Sequence, residues 1–298
     1  MTRTALILGG SGRFGRHAAQ AFRAAGWQTR PFDRRRDDLV TAARGAQVIV
    51  NGFNPPYPRW AAEMPSLHAG VRRAALETGA TVILPGNVYV FGKDAPERLG
   101  PATPHRATNP LGRLRVEMEA AYRDSGVRTI LLRAGDFLDT QASGNWFDKV
   151  MAASLGKGVL TAPGNPAAPH AWAFLPDMAR AAVALAERQE ALPSFADIPF
   201  PGYTLGTEEM AGLLSGVLGR DIAVKRMAWW PLLLAQPVWP MARHLREMRY
   251  LWDKPHHMDA AAFEALLPGF RATPAAEALR QAVGAGAAAR AAAQVAPG

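Results

Sequence analysis

The chain has 298 residues and a mass of 32.0 kDa, which is enough for one large domain or two modest ones. Hydrophobic residues make up 49% and charged residues 20%, a composition that supports a sizeable core and excludes a disordered chain. Cysteine is absent, which excludes disulfides, thiolate metal sites and cysteine nucleophiles. The net charge of +9 raises the question of an anionic partner.

The first half of the chain alternates short apolar runs with amphipathic segments. Strands are predicted at Ala5–Leu8, Gln28–Phe32, Val48–Val50, Thr81–Leu84 and Thr129–Leu132, and helices at Phe14–Ala25, Ser66–Glu77 and Leu111–Ser125. Such apolar strands separated by helices are typical of a parallel sheet covered on both faces. The sequence therefore predicts an α/β fold with a doubly wound parallel sheet. Later strands at Ala171–Phe174 and Phe195–Ile198, and a helix from Thr207, indicate a smaller C-terminal α/β region.

A glycine-rich turn follows the first predicted strand. Gly9 permits a tight turn, Gly12 lets the backbone approach a pyrophosphate, and Gly15 allows close packing of the next helix on the strand. The start of that helix offers unpaired N–H groups to phosphates. Asp33 follows the second strand at about the distance expected of a residue that accepts hydrogen bonds from the adenosine ribose. The motif predicts an NAD(P)-binding Rossmann domain.

The residues around Asp33 bear on the choice between NAD and NADP. Asp33 alone favours NAD, because a carboxylate repels a 2′-phosphate. Arg34, Arg35 and Arg36 follow directly, however, and Arg13 lies inside the glycine turn, so charge-assisted hydrogen bonds favour NADP. We predict a slight preference for NADP, with a solvated loop as the alternative role of Arg35 and Arg36.

The Gly-x-x-Gly-x-x-Gly spacing resembles the extended and atypical short-chain dehydrogenase/reductases, the NAD(P)-dependent epimerase/dehydratase family. The resemblance extends over roughly the first 270 residues. Asn87–Gly92 is similar to the family's Ser-rich segment ending in Val-Tyr-Gly, Leu131–Phe137 to its Leu-Arg-Pro loop beside the nicotinamide, and Phe174–Ala179 to its His-Val-Asp-Asp-Ala segment.

The family's catalytic Tyr-x-x-x-Lys pair is missing from this chain. Leu111 stands at the tyrosine position, Arg115 at the lysine position and Asn87 at the position of the supporting Ser or Thr. Leucine cannot donate a proton, whereas Arg115 can still hold the cofactor ribose. The resemblance implies that the loop of Tyr89 faces substrate, and our hypothesis is that Tyr89 is a substitute proton donor assisted by Asn87. The alternative is that Tyr89 is an ordinary packing aromatic.

The resemblance also implies the remaining contacts. Cofactor contacts are expected from Gly9, Gly12, Arg13, Phe14, Gly15, Asp33, Arg34, Asn51, Gly52, Phe53 and Arg115, and substrate contacts from Asp136, Asn145 and Trp146. The alternatives are a plain proline-rich turn after Asn51 and solvated loop residues after Asp136. No metal site is expected, because the histidines lack metal-ligand spacing.

A tryptophan-rich segment, residues 227–242, carries no charge and is followed by several arginines. It is too short to span a bilayer, and its prolines would interrupt a helix. We favour a packed helical subdomain. The alternatives are a dimer interface, a cover for a substrate pocket or contact with a membrane surface.

These inferences define one overall prediction. Residues 1–160 form the NAD(P)-binding domain, with its sheet completed by parts of 161–200; residues 161–275 form an interleaved substrate-binding region, and residues 283–298 a frayed or disordered tail. The expected function is that of a cytoplasmic NAD(P)-dependent oxidoreductase or epimerase acting on a small carbonyl or hydroxyl substrate. A sugar derivative is one candidate for that substrate. The alternative is a non-catalytic NAD(P)-binding redox sensor. A homodimer fits the family, and nucleic acid is not an expected partner, because no basic–aromatic module is visible.

Overall fold

The computed structural model of the chain describes residues 3–284. The strands are β1 (Thr4–Leu8), β2 (Gln28–Pro31), β3 (Val48–Asn51), β4 (Thr81–Gly86), β5 (Arg98–Leu99), β6 (Thr129–Arg133), β7 (Asp136–Leu138), β8 (Val159–Ala162), β9 (Ala171–Phe174), β10 (Phe195–Pro199), β11 (Tyr203–Thr204), β12 (Ala223–Arg226) and β13 (His257–Met258). The helices are α1 (Arg13–Ala24), α2 (Leu39–Ala43), α3 (Trp60–Thr78), α4 (Pro110–Asp124), α5 (Leu175–Ala186), α6 (Thr207–Leu218), α7 (Trp230–Ala235), α8 (Pro240–Glu247) and α9 (Ala261–Leu266). Residues 275–284 are also helical, and the rest of the predicted tail lies outside the described residues.

Six parallel strands form the central sheet in the order β10-β6-β4-β3-β1-β2. Strand β1 lies between β2 and β3, so the chain crosses from one side of β1 to the other after β2. In open α/β sheets a ligand crevice forms at such a switch point, outside the carboxyl ends of the strands. The turns after β1 and β3 therefore border the expected cofactor crevice.

Both faces of the sheet are buried, which explains the continuous apolar strands. Leu6 and Leu8 of β1 face a core shared with α3 and α4, whereas Ala5 and Ile7 face a core shared with α1 and α5. Because successive side chains of a strand point to opposite faces, a strand covered on both sides must be apolar at every position. The predicted doubly wound α/β fold is confirmed.

A third core holds the smaller C-terminal region together. It contains Phe147, Trp172 and Leu214, and it lies beneath a three-stranded sheet in the order β11-β9-β7 and a two-stranded sheet of β12 and β8. Strand β13 pairs with β5. Within residues 3–284, none of the helices has the length and the apolar character that crossing a bilayer requires.

Helix α3 begins at Trp60, six residues before the predicted start at Ser66. Proline is a helix-breaking residue, and Pro65 therefore predicted a boundary there. The side chains of Trp60 and Met64 are almost completely buried in the core, and this burial offsets the hydrogen bond that Pro65 cannot donate. Tertiary packing thus extends the helix through the proline.

Candidate functional site

Three backbone segments meet at the carboxyl end of β1. Gly9 adopts φ +68°, and a Cβ atom there would lie 2.8 Å from the carbonyl oxygen of Gly52. A Cβ on Gly15 would lie 2.2 Å from the carbonyl oxygen of Gly9, and one on Gly52 would lie 2.7 Å from that of Leu8. These distances exclude a side chain at all three positions. Gly52 thus joins the motif glycines as a residue required by close backbone approach.

The first turn of α1 is open to an anion. Its N-cap residue is Gly12, which offers no side-chain cap, and its first turn contains no acidic residue. The N–H groups at the start of a helix have no partner within it, so those of Arg13, Phe14 and Gly15 face the crevice end of the helix. The ring of Phe14 is buried in the core, so only its backbone is available to a cofactor. This geometry fits a dinucleotide pyrophosphate.

Replacing Gly15 with alanine should abolish the close approach of the α1 backbone to the backbone of Gly9. The new Cβ would meet the backbone of Gly9, which cannot move without opening the turn. We expect a loss of about 1–3 kcal/mol in the free energy of unfolding and at least about a tenfold weaker binding of NAD(P). Gly216→Ala is the matched control, because Gly216 also lies in a helix but has nothing within 4 Å of its Cβ position. Calorimetry and thermal denaturation of both variants test this, and equal behaviour of the two would contradict it.

Arg13 extends from the glycine turn to the loop after β7. Its Nε and Nη2 atoms donate hydrogen bonds of 3.0 and 2.7 Å to the carbonyl oxygens of Ser143 and Gly144. The Asp148 carboxylate accepts from the N–H groups of the same two residues at 2.7 and 2.9 Å. Arg13 therefore ties the glycine turn to the loop after β7, and its guanidinium is occupied by these two carbonyl oxygens.

Asp139 fixes the same loop to α1. Its buried carboxylate accepts hydrogen bonds from Arg16 and from His17, whose Nε2 lies 2.9 Å away. Burial alone would raise the pKa of Asp139, but the hydrogen bonds from His17 and Arg16 outweigh burial and lower the pKa to about 2. Asp139 is therefore ionised under all physiological conditions and acts as an anchor between the two regions.

Asp33 follows the carboxyl end of β2, in a turn that its own carboxylate stabilises. Its Oδ1 atom accepts from the N–H of Arg35 at 2.9 Å, and Oδ2 lies 3.7 Å from Arg36 Nε. The neighbouring Arg34 is half-exposed and lies 3.8 Å from Glu63. The Asp33 carboxylate thus has cationic and N–H partners already, which reduces its repulsion of a 2′-phosphate.

The segment after β3 divides into a buried and an open part. The Asn51 amide nitrogen lies 3.2 Å from both His68 Nδ1 and Tyr122 Oη, so this side chain points into the core rather than to the crevice. Its Oδ1 atom accepts from the N–H of Phe53 at 3.2 Å and shapes the turn. The rings of Phe53 and Phe32 meet edge to face at 6.2 Å between centroids. These two aromatics, at the ends of β3 and β2, offer a wall for an adenine ring.

Tyr89 forms a pair with a second tyrosine. Its Oη atom lies 2.6 Å from that of Tyr57, and both rings are packed beside Trp60. Asn87 Oδ1 accepts the Tyr89 N–H at 3.1 Å, which closes the turn after β4. Burial raises the pKa of Tyr89 well above its ordinary value and raises that of Tyr57 to about 12. Both phenols are therefore protonated at neutral pH.

Leu111 and Arg115 occupy one buried face of α4. Arg115 donates a 2.7 Å hydrogen bond from Nη2 to the carbonyl oxygen of Pro85, at the end of β4. Its guanidinium also lies 3.6 Å from Glu119, and burial lowers the pKa of Arg115. Arg115 is thus bonded to the end of β4, the strand that leads into the turn carrying Tyr89.

The Asp136 carboxylate and the His170 imidazole lie within hydrogen-bond distance, a contact that the sequence did not reveal. Asp136 Oδ2 lies 2.8 Å from His170 Nε2, and the imidazole stacks on Trp252 at 4.3 Å between ring centroids with an interplanar angle of 2°. The partly exposed Asp136 carboxylate adds to the effect of burial in raising the pKa of both Tyr57 and Tyr89. The predicted substrate residue Asp136 therefore lies within electrostatic reach of the tyrosine pair.

The other two predicted substrate residues have separate surroundings. Asn145 is buried, and its Oδ1 accepts the N–H of Asp148 at 3.0 Å. Trp146 packs against Trp252 at 5.1 Å and Trp229 at 6.0 Å. Trp146 thus shares an aromatic wall with the ring on which His170 stacks, whereas Asn145 stabilises its own loop.

A buried charge network lies beneath the site. Arg133 donates to Glu119 at 2.7 Å and to Asp197 at 2.6 Å, and its Nη1 donates to the carbonyl oxygen of Asn87 at 2.7 Å. His105, Glu119 and Asp197 place their ligand-type atoms within 4.8 Å of one another. Arg133 pairs with both carboxylates and Arg115 lies 3.6 Å from Glu119, so two guanidinium charges balance the two carboxylates and the cluster is accounted for as an ion-pair network.

Comparisons with known proteins place this architecture among solved structures. No protein-family model matches the chain, and no curated protein is similar to it in sequence. Similar structures include MoeE5 in complex with UDP-glucose and NAD, at 14% identity and a TM-score of 0.74 over 96% of this chain and 99% of that one. A nucleoside-diphosphate-sugar epimerase from Pseudomonas aeruginosa is 15% identical, with a TM-score of 0.69 over 96% and 97% of the two chains. A UDP-N-acetylglucosamine 4-epimerase from Methanobrevibacter ruminantium M1, in complex with UDP-N-acetylmuramic acid, is 14% identical, with a TM-score of 0.71 over 97% and 99%.

The alignments cover nearly the whole of each chain, whereas the identities are low. Likeness of this kind concerns the fold, since the same fold hosts many functions. At the level of the fold, the expectation from the Gly9–Gly15 motif is confirmed: the chain has the same α/β architecture as MoeE5 and these two nucleotide-sugar epimerases.

Proposed function

We propose that the protein is an NAD(P)-dependent oxidoreductase or epimerase acting on a small carbonyl or hydroxyl substrate, with a nucleotide-linked sugar as the first candidate. The observation that carries the proposal is the Tyr57–Tyr89 pair, held beside Asp136 at the same end of the sheet as the open N-terminus of α1. The sugar candidate is supported by the complexes of MoeE5 with UDP-glucose and with UDP-glucuronic acid. Residues 1–160 would bind the cofactor, with parts of 161–200 completing the sheet, and residues 161–275 would form the substrate wall.

The chemistry divides between the cofactor and the protein. When bound, NAD(P) supplies or accepts a hydride. The glycine turn and the α1 N-terminus would hold its pyrophosphate, and Phe32 and Phe53 would flank its adenine. Arg115 supports the turn after β4 from behind through Pro85, and Arg133 holds the same turn through the Asn87 carbonyl.

Tyr89 is the proposed proton donor. It gives a proton to the substrate oxygen as a carbonyl is reduced, and Tyr57 supports it through the 2.6 Å hydrogen bond between their hydroxyls. Asp136 orients a substrate hydroxyl, and His170 holds that carboxylate in place from the side away from solvent. This arrangement replaces the Tyr-x-x-x-Lys pair, since Leu111 has no proton to give.

The proposal is tested in two steps with the purified full-length chain. Calorimetry first measures the binding of NADH and NADPH, and a panel of UDP-sugars and small carbonyl compounds is then added to the complex. We expect oxidation of the nicotinamide, or interconversion of sugar epimers, with at least one member of the panel. Failure of both dinucleotides to bind would overturn the proposal.

A non-catalytic redox sensor is the second candidate. The buried Leu111 at the position of the family's tyrosine favours it, because nothing at that position exchanges a proton. Tight cofactor binding without turnover of any substrate in the panel would favour the sensor.

For the cofactor, we propose a slight preference for NADP. Arg34 and Arg35 are exposed beside an Asp33 carboxylate that already has partners. We expect Arg34→Ala/Arg35→Ala to weaken NADPH binding about tenfold and to change NADH binding less than about twofold, because only NADPH carries the 2′-phosphate. Arg23→Ala, an exposed arginine on α1, is the control. Calorimetric titrations measure both, and tighter binding of NADH than of NADPH by the unmodified protein would contradict the preference.

A further inference from the structure

The α7–α8 hairpin presents a concentrated apolar surface. Its five exposed large side chains are called here the apolar patch: Trp230, Leu233, Leu234, Val238 and Trp239. Leu234 is 69% and Val238 86% exposed, and the one other large hydrophobic side chain exposed within residues 3–284 is Leu76 on α3. Soluble monomers rarely gather such side chains in one place without an interaction to serve.

The hairpin is firmly attached to the rest of the molecule. Glu247, at the end of α8, accepts 2.7 Å hydrogen bonds from the N–H of Leu111 and from the Asn109 side chain. Trp229, directly before α7, is buried in the third core. His244 of α8 contacts the ring of Tyr57 at 6.5 Å between centroids. The inner side of the hairpin thus forms a wall of the candidate site, and the apolar patch faces outwards in a fixed orientation.

Cationic side chains predominate in the hairpin and in the strand before it. Residues 222–246 contain four cationic side chains and no acidic one; the cations are Lys225, Arg226, Arg243 and Arg246. Ion pairs in and beside the hairpin join His244 to Glu247 and Arg249 to Asp253, and in the described part of the chain none involves these four cations. An apolar surface whose flanking segments, β12 and α8, carry cations without an ion-pair partner in residues 3–284 is complementary to an anionic lipid surface.

From this combination we propose that the apolar patch and its four cations dock the protein on an anionic lipid bilayer. The tryptophans would lie at the headgroup level, the leucines and Val238 would enter the acyl boundary, and the cations would contact lipid phosphates. A second copy of the chain is a poorer occupant, because a two-fold interface would bring like cations together, and Glu247, the acid of the hairpin, is already bonded to Leu111 and Asn109. The candidate site would then open close to the bilayer surface.

Vesicle co-sedimentation of the full-length protein tests this docking. We expect binding to vesicles containing about 30% phosphatidylglycerol, and little binding to pure phosphatidylcholine. Raising the salt from about 50 mM to about 500 mM should weaken the binding severalfold, because the Debye length shortens. Absence of binding to anionic vesicles at the lower salt would overturn the proposal, as would equal binding to both lipids.

Matched variants distinguish binding through the apolar patch from nonspecific binding of the protein to vesicles. Leu234→Ser/Trp239→Ser should lower the partition coefficient more than about tenfold, whereas Leu76→Ser, an exposed leucine elsewhere, should leave it unchanged. Lys225→Gln/Arg243→Gln should lower it about fivefold for each charge removed, with Lys93→Gln as the control. Equal effects of patch and control variants would refute the assignment. A dimer in sedimentation equilibrium that Leu234→Ser/Trp239→Ser converts to a monomer, without vesicle binding, would assign the surface to a second copy instead.

Discussion

Tyr89→Phe should lower kcat by about 10²- to 10⁴-fold on any substrate that the protein turns over, because it removes the proposed proton donor. The phenylalanine ring fills the same space beside Trp60, and the fold loses one hydrogen bond, to Tyr57 Oη. Such a loss costs about 1 kcal/mol of stability, which a folded domain tolerates. Cofactor affinity should stay within about twofold, because no step of pyrophosphate binding involves this ring.

The pH profile of the unmodified protein gives a second measure of the same residue. Burial raises the pKa of Tyr89 well above its ordinary value, and the proximity of Tyr57 and Asp136 raises it further. The phenol is therefore protonated throughout the neutral range, which suits donation of a proton during carbonyl reduction. We expect the reductive rate to be flat from neutral to mildly alkaline pH. The oxidative rate, which needs the phenolate as a base, should rise with pH over the same range.

Two other tyrosines give a graded comparison, Tyr57 as the partner of Tyr89 and Tyr250 as the control. Tyr57→Phe removes the partner hydroxyl and should lower kcat about tenfold, less than the loss of Tyr89 itself. Tyr250→Phe should change kcat less than about twofold, because the buried Tyr250 hydroxyl has no hydrogen-bond partner in the described part of the chain. Full turnover by Tyr89→Phe would show that the proton comes from elsewhere, and Asp136 would then be the group to replace next.

The sequence predicted those features of the fold that depend on local pattern. The strand before Gly9, the helix after it and the spacing to Asp33 lie within one short stretch, so periodicity and glycine spacing reveal them together. The sequence also predicted that Leu111 and Arg115 share one face of α4, because residues four apart lie on the same side of a helix. Backbone geometry that neighbouring residues determine can therefore be inferred from the amino-acid sequence alone.

The side-chain pairs of the site depend on long-range pairing and could not be predicted. Asp136 meets His170 because β7 lies beside β9, with Asp136 opposite Trp172. Tyr57 contacts Tyr89 because β3 and β4 are neighbouring parallel strands, so the segments that follow them lie side by side at the carboxyl ends of the strands. No spacing rule joins residues more than 30 positions apart, since the register of strands brings them together.

The direction of the Asn51 side chain is a feature that the sequence could not predict. Its position at the end of β3 suggested a side chain in the crevice, since the ends of such strands border the ligand in this fold class. The last residue of a strand points to one face of the sheet or the other, and Asn51 points inwards to His68 and Tyr122. A single-residue difference in register, which composition does not reveal, decides between the two.

Arg133→Met should cost about 3–5 kcal/mol of folding free energy, the largest loss of stability expected of a single substitution in this site. Arg133 is fully buried and bonds two carboxylates, those of Glu119 and Asp197. Removing the guanidinium leaves negative charges in a low-dielectric interior, although Arg115, 3.6 Å from Glu119, offsets part of the cost. The Asn87 carbonyl also loses its donor, so the turn carrying Tyr89 should loosen and kcat should fall.

Denaturant unfolding of matched variants separates charge from volume in this network. Arg113→Met, on the exposed side of α4, breaks only a 3.9 Å pair with Glu117 and should cost less than about 0.5 kcal/mol. Adding Glu119→Gln and Asp197→Asn to Arg133→Met should recover part of the loss, because neutral amides tolerate burial better than unpaired carboxylates. If Arg133→Met were no more destabilising than Arg113→Met, the network would not hold the sheet and the turn that carries Tyr89 together. A loss that the two amide substitutions do not reduce would instead trace the effect to the volume of the side chain.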